Sequence, residues 1–133
     1  LIKNYEEKFT NIHLHEAVNY SEVLSISSSA DYGLCLLENV SLSDFYALPN
    51  KLFEYLFSGL PILGSDFPEI KKILTENNYG LVCEDNIEKL KETIEMLALN
   101  KNLFDFNLKN LYKLGWQNQS KKLIEEYNKL LKS

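Results

Sequence analysis

Residues 48–66 read LPNKLFEYLFSGLPILGSD. Pro49 suits the first turn of a helix, and Gly59 with Pro61 ends it. PILGS (61–65) is then a short apolar run, the mark of a buried strand. Most of the helix is apolar: Leu52, Phe53, Tyr55, Leu56 and Phe57. Lys51, Glu54 and Ser58 nevertheless fall at i, i+3 and i+7, on one face. Two readings account for that polar stripe. One is a surface ion pair between Lys51 and Glu54, worth about 0.2–0.5 kcal/mol. The other is a face turned toward a ligand.

The neighbouring segments extend the strand and helix alternation. NIHLHEAV (11–18) alternates like a strand, and Asn19-Tyr20-Ser21-Glu22 has the capping-box spacing, predicting a short helix to about Ser29. YGLCLLE (32–38) is a continuous apolar run, as in a strand covered on both faces. Downstream, Asp66-Phe67-Pro68-Glu69 caps a helix through IKKILTEN, and YGLVCE (79–84) is another strand. Asp85 and Glu88 form a second capping pattern before a helix to about Leu99. LFDFNLKNLYKL, a break at Gly115 and WQNQSKKLIEEYNKLL complete a helical last third. Four alternations followed by helices predict an α/β fold: a Rossmann-like, doubly wound parallel sheet flanked by helices, with a helical C-terminal tail.

At 133 residues the chain is sized for one domain, 1–133, with a real core. Its net charge of -5 argues against a nucleic-acid partner, whose phosphates require a basic patch. Every basic residue is lysine, so lysine or backbone amides must bind any anion. Cys35 and Cys83 sit in apolar runs and read as reduced core thiols of a cytoplasmic protein. There is no run of 18 apolar residues. LIKNYEEKFT, at the start, reads like the end of a helix, which suggests a chain cut at its N-terminus.

Other candidates carry less. His13 and His15 share a strand face, but no third metal ligand lies near them in sequence. Ser27, Ser28 and Ser29 lack a nucleophile-elbow pattern. Trp116 beside Leu114 reads as a packing anchor rather than a sugar-stacking platform. Lys121, Lys122, Lys129 and Lys132, balanced by Glu125 and Glu126, read as a solvated face that still allows docking on another domain or on a membrane surface. In an open α/β sheet ligands sit at the carboxyl ends of the strands, where the loop 39–48 and the start of the 49–58 helix belong. A helix N-terminus there suits a phosphate, and Lys51 in its first turn adds a full positive charge.

The segment YGLCLLENVSLSDFYALPNKLFEYLFSGLPILGSDFPEI, above all its PNKLFEY and SGLPIL core, resembles the donor-binding segment of group 1 (family 4) glycosyltransferases of the GT-B fold. The order that follows, Pro-Glu-Ile, YGLVCED and a helical tail with GW and EEYNKLL, is similar too, so the resemblance runs from about Asn11 to Leu131. It implies a C-terminal nucleotide-sugar-binding lobe. In that lobe Lys51 binds the diphosphate and Glu54 holds the ribose hydroxyls. Tyr46, Ala47 and Leu48, with Phe45, offer backbone amides to the phosphates or the sugar, beside Asn50. Many members carry two glutamates with seven residues between them; Glu54 matches the second, and Tyr46 stands in the place of the first. The resemblance further implies a retaining transfer from a nucleotide diphosphate-sugar to a glycan or lipid-linked acceptor in bacterial surface polysaccharide synthesis. The acceptor would reach the site through an N-terminal lobe. No metal or other cofactor and no covalent nucleophile is expected, and peripheral contact with the inner face of the membrane is allowed. In the strand order 3-2-1-4-5-6, NIHLHEAV would be a third strand whose neighbours lie upstream, so a cut chain, a swapped dimer or a different pairing is expected. The contrasting reading is a non-enzymatic nucleotide-binding, signalling or interaction module. A receiver of that kind needs an acidic cluster after its first strand and a lysine after its fifth; NIHLHEAV and YGLVCE supply neither.

Overall fold

The computed structural model describes residue 5, residues 7–100, residues 103, 104 and 106, and residues 108–131. Much of LIKNYEEKFT, and Lys132, lie outside the described residues. A 3-10 turn, Tyr20–Glu22, leads into α1 (Val23–Ser27). There follow β1 (Gly33–Cys35), α2 (Leu42–Phe45), α3 (Asn50–Phe57), β2 (Ile62–Ser65), α4 (Pro68–Glu76), β3 (Gly80–Cys83) and α5 (Ile87–Leu99). Helices α6 (Leu108–Leu114) and α7 (Trp116–Leu130) close the chain.

The three strands form one parallel sheet in the order β1-β2-β3. Gly33, Ile62 and Gly80 stand in register, as do Leu34, Leu63 and Leu81. Side chains alternate across a strand, so each register row faces one side. On one side Cys35 and Ile62 pack with Leu52 and Leu56 of α3, Ile70 and Leu74 of α4, Tyr79 and Leu111 of α6. On the other, Leu63 and Cys83 pack with Leu97 of α5 and the half-buried Tyr32, Leu36, Leu81 and Leu90. Helices on both faces of a parallel sheet make the Rossmann-like α/β architecture expected from the sequence. Both cysteines are free thiols in these two cores.

Two strand expectations are corrected. Residues 11–18 form no strand, and all but Ile12 are exposed. Alternation alone does not make a strand: a place in a ladder is also needed, and among the described residues the sheet consists of β1, β2 and β3. The run 32–38 is covered on one face only at its centre, where Leu34 keeps 49% of its surface exposed. Among the described residues β1 is an edge strand, and a cavity opens between Leu34 and the Ile94, Leu97 and Ala98 side of α5.

Two caps shift by one residue. Helix α4 begins with Phe67 as its N-cap and Pro68 at the first helical position, while Asp66 pairs instead with Lys71 at 2.9 Å. Helix α5 is capped by Asn86, whose side-chain oxygen accepts from the Lys89 amide at 3.1 Å, rather than by Asp85. Asn86→Ala should therefore cost about 1 kcal/mol in urea unfolding, and Asp85→Ala only a few tenths. Equal losses would contradict the assignment of the cap. The helix after Asn19 keeps its predicted entry: the Asn19 amide donates to Glu22 Oε2 at 3.2 Å. Of the predicted helix over 103–114, the described residues 103, 104 and 106 are not helical, and α6 starts at Leu108.

Candidate functional site

The two crossover helices, α3 and α4, and α5 after β3 begin beyond the carboxyl ends of the strands, and the polar residues gather there. Beyond β1 the chain runs to Ser41, which caps the short α2: its Oγ accepts from the Asp44 amide at 3.2 Å and donates to Asp44 Oδ2 at 2.7 Å. The amides of Phe45, Tyr46 and Ala47 bond back to Ser41, Leu42 and Asp44, so α2 already occupies three of the four loop amides. Among the described residues the Leu48 amide makes no such bond. Pro49 then serves as N-cap of α3 and offers no side-chain hydrogen bond, and the first turn holds no acidic residue. A helix start without a cap or a carboxylate keeps its positive end open to an anion.

Lys51 and Glu54 leave α3 in different directions. Lys51 is half-buried, and its Nζ reaches the Leu36 carbonyl at 3.4 Å, at the end of β1. The ammonium also lies close enough to Cys35 to oppose, in part, the burial that pushes this thiol above its ordinary range. Glu54, half-buried, instead lines a cavity of about 360 Å³. Asn50, Phe53 and Phe57 line it from α3, and Tyr20, Ser21, Val23 and Leu24 from the α1 side. Ion pairs among the described residues include Lys71–Asp66 and Lys89–Glu84, but none joins Lys51 to Glu54. The surface ion-pair reading of this stripe therefore fails.

The remaining candidates separate cleanly. Asn50 lines the cavity with Glu54. Tyr46 is exposed and meets Phe45 edge-on at 5.1 Å. His13 and His15 are exposed on a segment that is not a strand. Ser28 and Ser29 spend their hydroxyls on the Ser25 and Ile26 carbonyls. Trp116, expected to anchor packing, is 71% exposed; Leu114 packs against the core in its place. Lys121, Lys122 and Lys129 lie exposed along α7, as a solvated face should. Among the described residues no His, Cys, Asp and Glu side chains group as a metal site, and no helix is long and apolar enough to cross a membrane.

Sequence reasoning missed the α1 wall of the cavity. The capping box at Asn19 announced a turn, but nothing in its residues says that it packs beside Glu54. A second cavity, about 250 Å³, lies across the carboxyl ends of all three strands, with Leu37, Ser65 and Asp85 in its lining. Ser65, buried there, accepts from the Leu37 amide at 2.8 Å and donates to the Leu37 carbonyl at 3.0 Å, tying the chain after β1 to the end of β2.

No curated protein and no solved structure matches the chain closely enough to count as a relative. A family model described as glycosyl transferase-like matches residues 2–105, which hold the sheet, α3 and the whole cavity. With its α/β sheet, open α3 start and cavity-lining Glu54 inside that match, the chain belongs to the glycosyl transferase-like family.

Proposed function

We propose that the chain is the donor-binding lobe of a retaining GT-B glycosyltransferase, of the group 1 kind, that holds a nucleotide diphosphate-sugar. The observation that carries this is the split of α3: Lys51 turns to the end of β1, beside an uncapped helix start, while Glu54 lines an apolar cavity. A nucleoside diphosphate needs that division. Its phosphates call for a cation and free amides, and its ribose for an acceptor next to a surface apolar enough for a base.

In this reading Lys51, the Leu48 amide and the positive end of α3 hold the diphosphate. They stabilise the charge that grows on it as the bond to the sugar breaks, which is where electrostatic catalysis acts. Glu54 accepts from the two ribose hydroxyls, with Asn50 beside it. The base lies toward Tyr20 and Leu24. Tyr46 and Ala47, at the end of α2, border the sugar. The acceptor, a glycan or lipid-linked saccharide, is brought by a second lobe. Bacterial surface polysaccharide, such as capsule or lipopolysaccharide, is the product class we favour, and the cytoplasmic face of the membrane the place, on the strength of the family resemblance. The mechanism uses no metal and no covalent nucleophile.

Ligand-observed NMR with UDP, GDP, dTDP and CMP tests the reading. Saturation transfer to the ribose of one of them, lost in Glu54→Ala, is the expected result and identifies the base. No transfer from a folded chain to any of the four overturns it.

A further inference from the structure

The α1 wall of the cavity is thinly anchored. None of its residues is buried, and Leu24 is 46% exposed. Among the described residues one side-chain hydrogen bond ties it to α3. Ser58 Oγ, at the C-cap of α3, lies 3.2 Å from the Leu24 carbonyl and 2.7 Å from the Glu54 carbonyl. Both carbonyls belong to cavity-lining residues, one on each wall. A hydroxyl has a single proton, so the two carbonyls share it. An ordinary helical serine would give that proton wholly to its own i-4 carbonyl.

We infer that Ser58 is a positioning residue: its hydroxyl latches α1 to α3 and so sets the width of the nucleoside cavity. The inference rests on the donor-site reading of Glu54. It assigns Ser58 no contact with the ligand. Ser58 instead fixes how far Tyr20, Ser21 and Leu24 stand from Phe53 and Glu54. Lys51 and the start of α3 lie about two turns away, at the other end of the helix, and do not depend on the latch. A loosened α1 must then be ordered anew each time a nucleoside enters, which lowers affinity for the nucleoside part alone.

The test compares wild type, Ser58→Ala and Ser58→Thr. It measures affinity for the nucleotide that wild type prefers and for inorganic pyrophosphate, together with amide hydrogen exchange. Ser58→Ala should bind the nucleotide about two- to tenfold more weakly, the scale of one hydrogen bond, with pyrophosphate affinity unchanged. Exchange at the Ser28 amide, which closes α1 on Leu24, should quicken. Ser58→Thr keeps the hydroxyl and should restore both. Unchanged nucleotide affinity, an equal loss for nucleotide and pyrophosphate, or unchanged exchange in Ser58→Ala would overturn the latch. Silence of wild type toward every nucleotide would overturn the donor-site reading instead, and the exchange data would still decide whether the latch exists.

Discussion

Gly80→Ala should leave little folded protein. A Cβ at Gly80 would run into the Ile62 carbonyl oxygen, and would stand 2.8 Å from both the Ile62 carbonyl carbon and its amide nitrogen. These are backbone atoms of the neighbouring strand, in register with Gly80. They can retreat only by breaking the β2–β3 ladder, over which Tyr79, Ile70 and Leu74 are packed. The other sheet glycines are different. At Gly64 the obstacles are the tips of Ile70 and Leu74, and at Gly33 the ring of Tyr55, side chains that can turn aside at some cost. We expect Gly80→Ala to lose more than about 4 kcal/mol, a large part of the roughly 5–15 kcal/mol that holds a domain together. Urea unfolding followed by circular dichroism measures it. A loss below about 1 kcal/mol would show that the two strands tolerate a wider spacing.

Lys51→Ala and Glu54→Ala should both impair nucleotide binding, and inorganic pyrophosphate should tell them apart. Losing a hydrogen bond to a charged group costs about 1.5–3 kcal/mol, or roughly 10- to 150-fold in affinity. Lys51→Ala should weaken nucleotide and pyrophosphate alike, because both present the same phosphates to the start of α3. Glu54→Ala should weaken the nucleotide only. Pyrophosphate should bind as well or slightly better, since a negative charge has left its neighbourhood. Among the described residues neither side chain is in an ion pair, so both variants should melt close to wild type. Isothermal titration of the three proteins with both ligands decides the matter. Wild-type affinity for nucleotide in both variants would remove these residues from the site.

Much of the fold was legible because it depends on local patterns. PILGS and YGLVCE became β2 and β3, and Gly115 separates α6 from α7, as their residues indicate. What failed depends on partners that a sequence does not name. NIHLHEAV has the alternation of a strand, but the sheet of the described residues is built from β1, β2 and β3 alone. Trp116 is large and apolar, yet it starts α7 on the surface, and Leu111 and Leu114 fill the core beside it. The site divided in the same way. The spacing of Lys51 and Glu54 placed them together on α3, but three positions on a helix are 300° of rotation, and side-chain length carried one to β1 and the other to α1. The roles of the two residues came from the family resemblance of PNKLFEY, and the α1 wall opposite Glu54 came only from the folded chain.

The β1-β2-β3 order also bears on how the sheet assembles. Strands that follow one another in the chain are neighbours in space, so each pairing closes a single loop. The β2–β3 register joins Ile62 to Gly80, 18 residues apart (80 − 62), and the β1–β2 register joins Gly33 to Ile62, 29 apart (62 − 33). The shorter closure is favoured by about 0.4 kcal/mol of chain entropy. It also brings α4 down on the sheet, where Leu74 and Tyr79 meet. We therefore expect the β2–β3 pair to form before β1 joins it, so that core truncations at Leu74 slow folding more than truncations at Leu52, a difference that φ-value analysis would read.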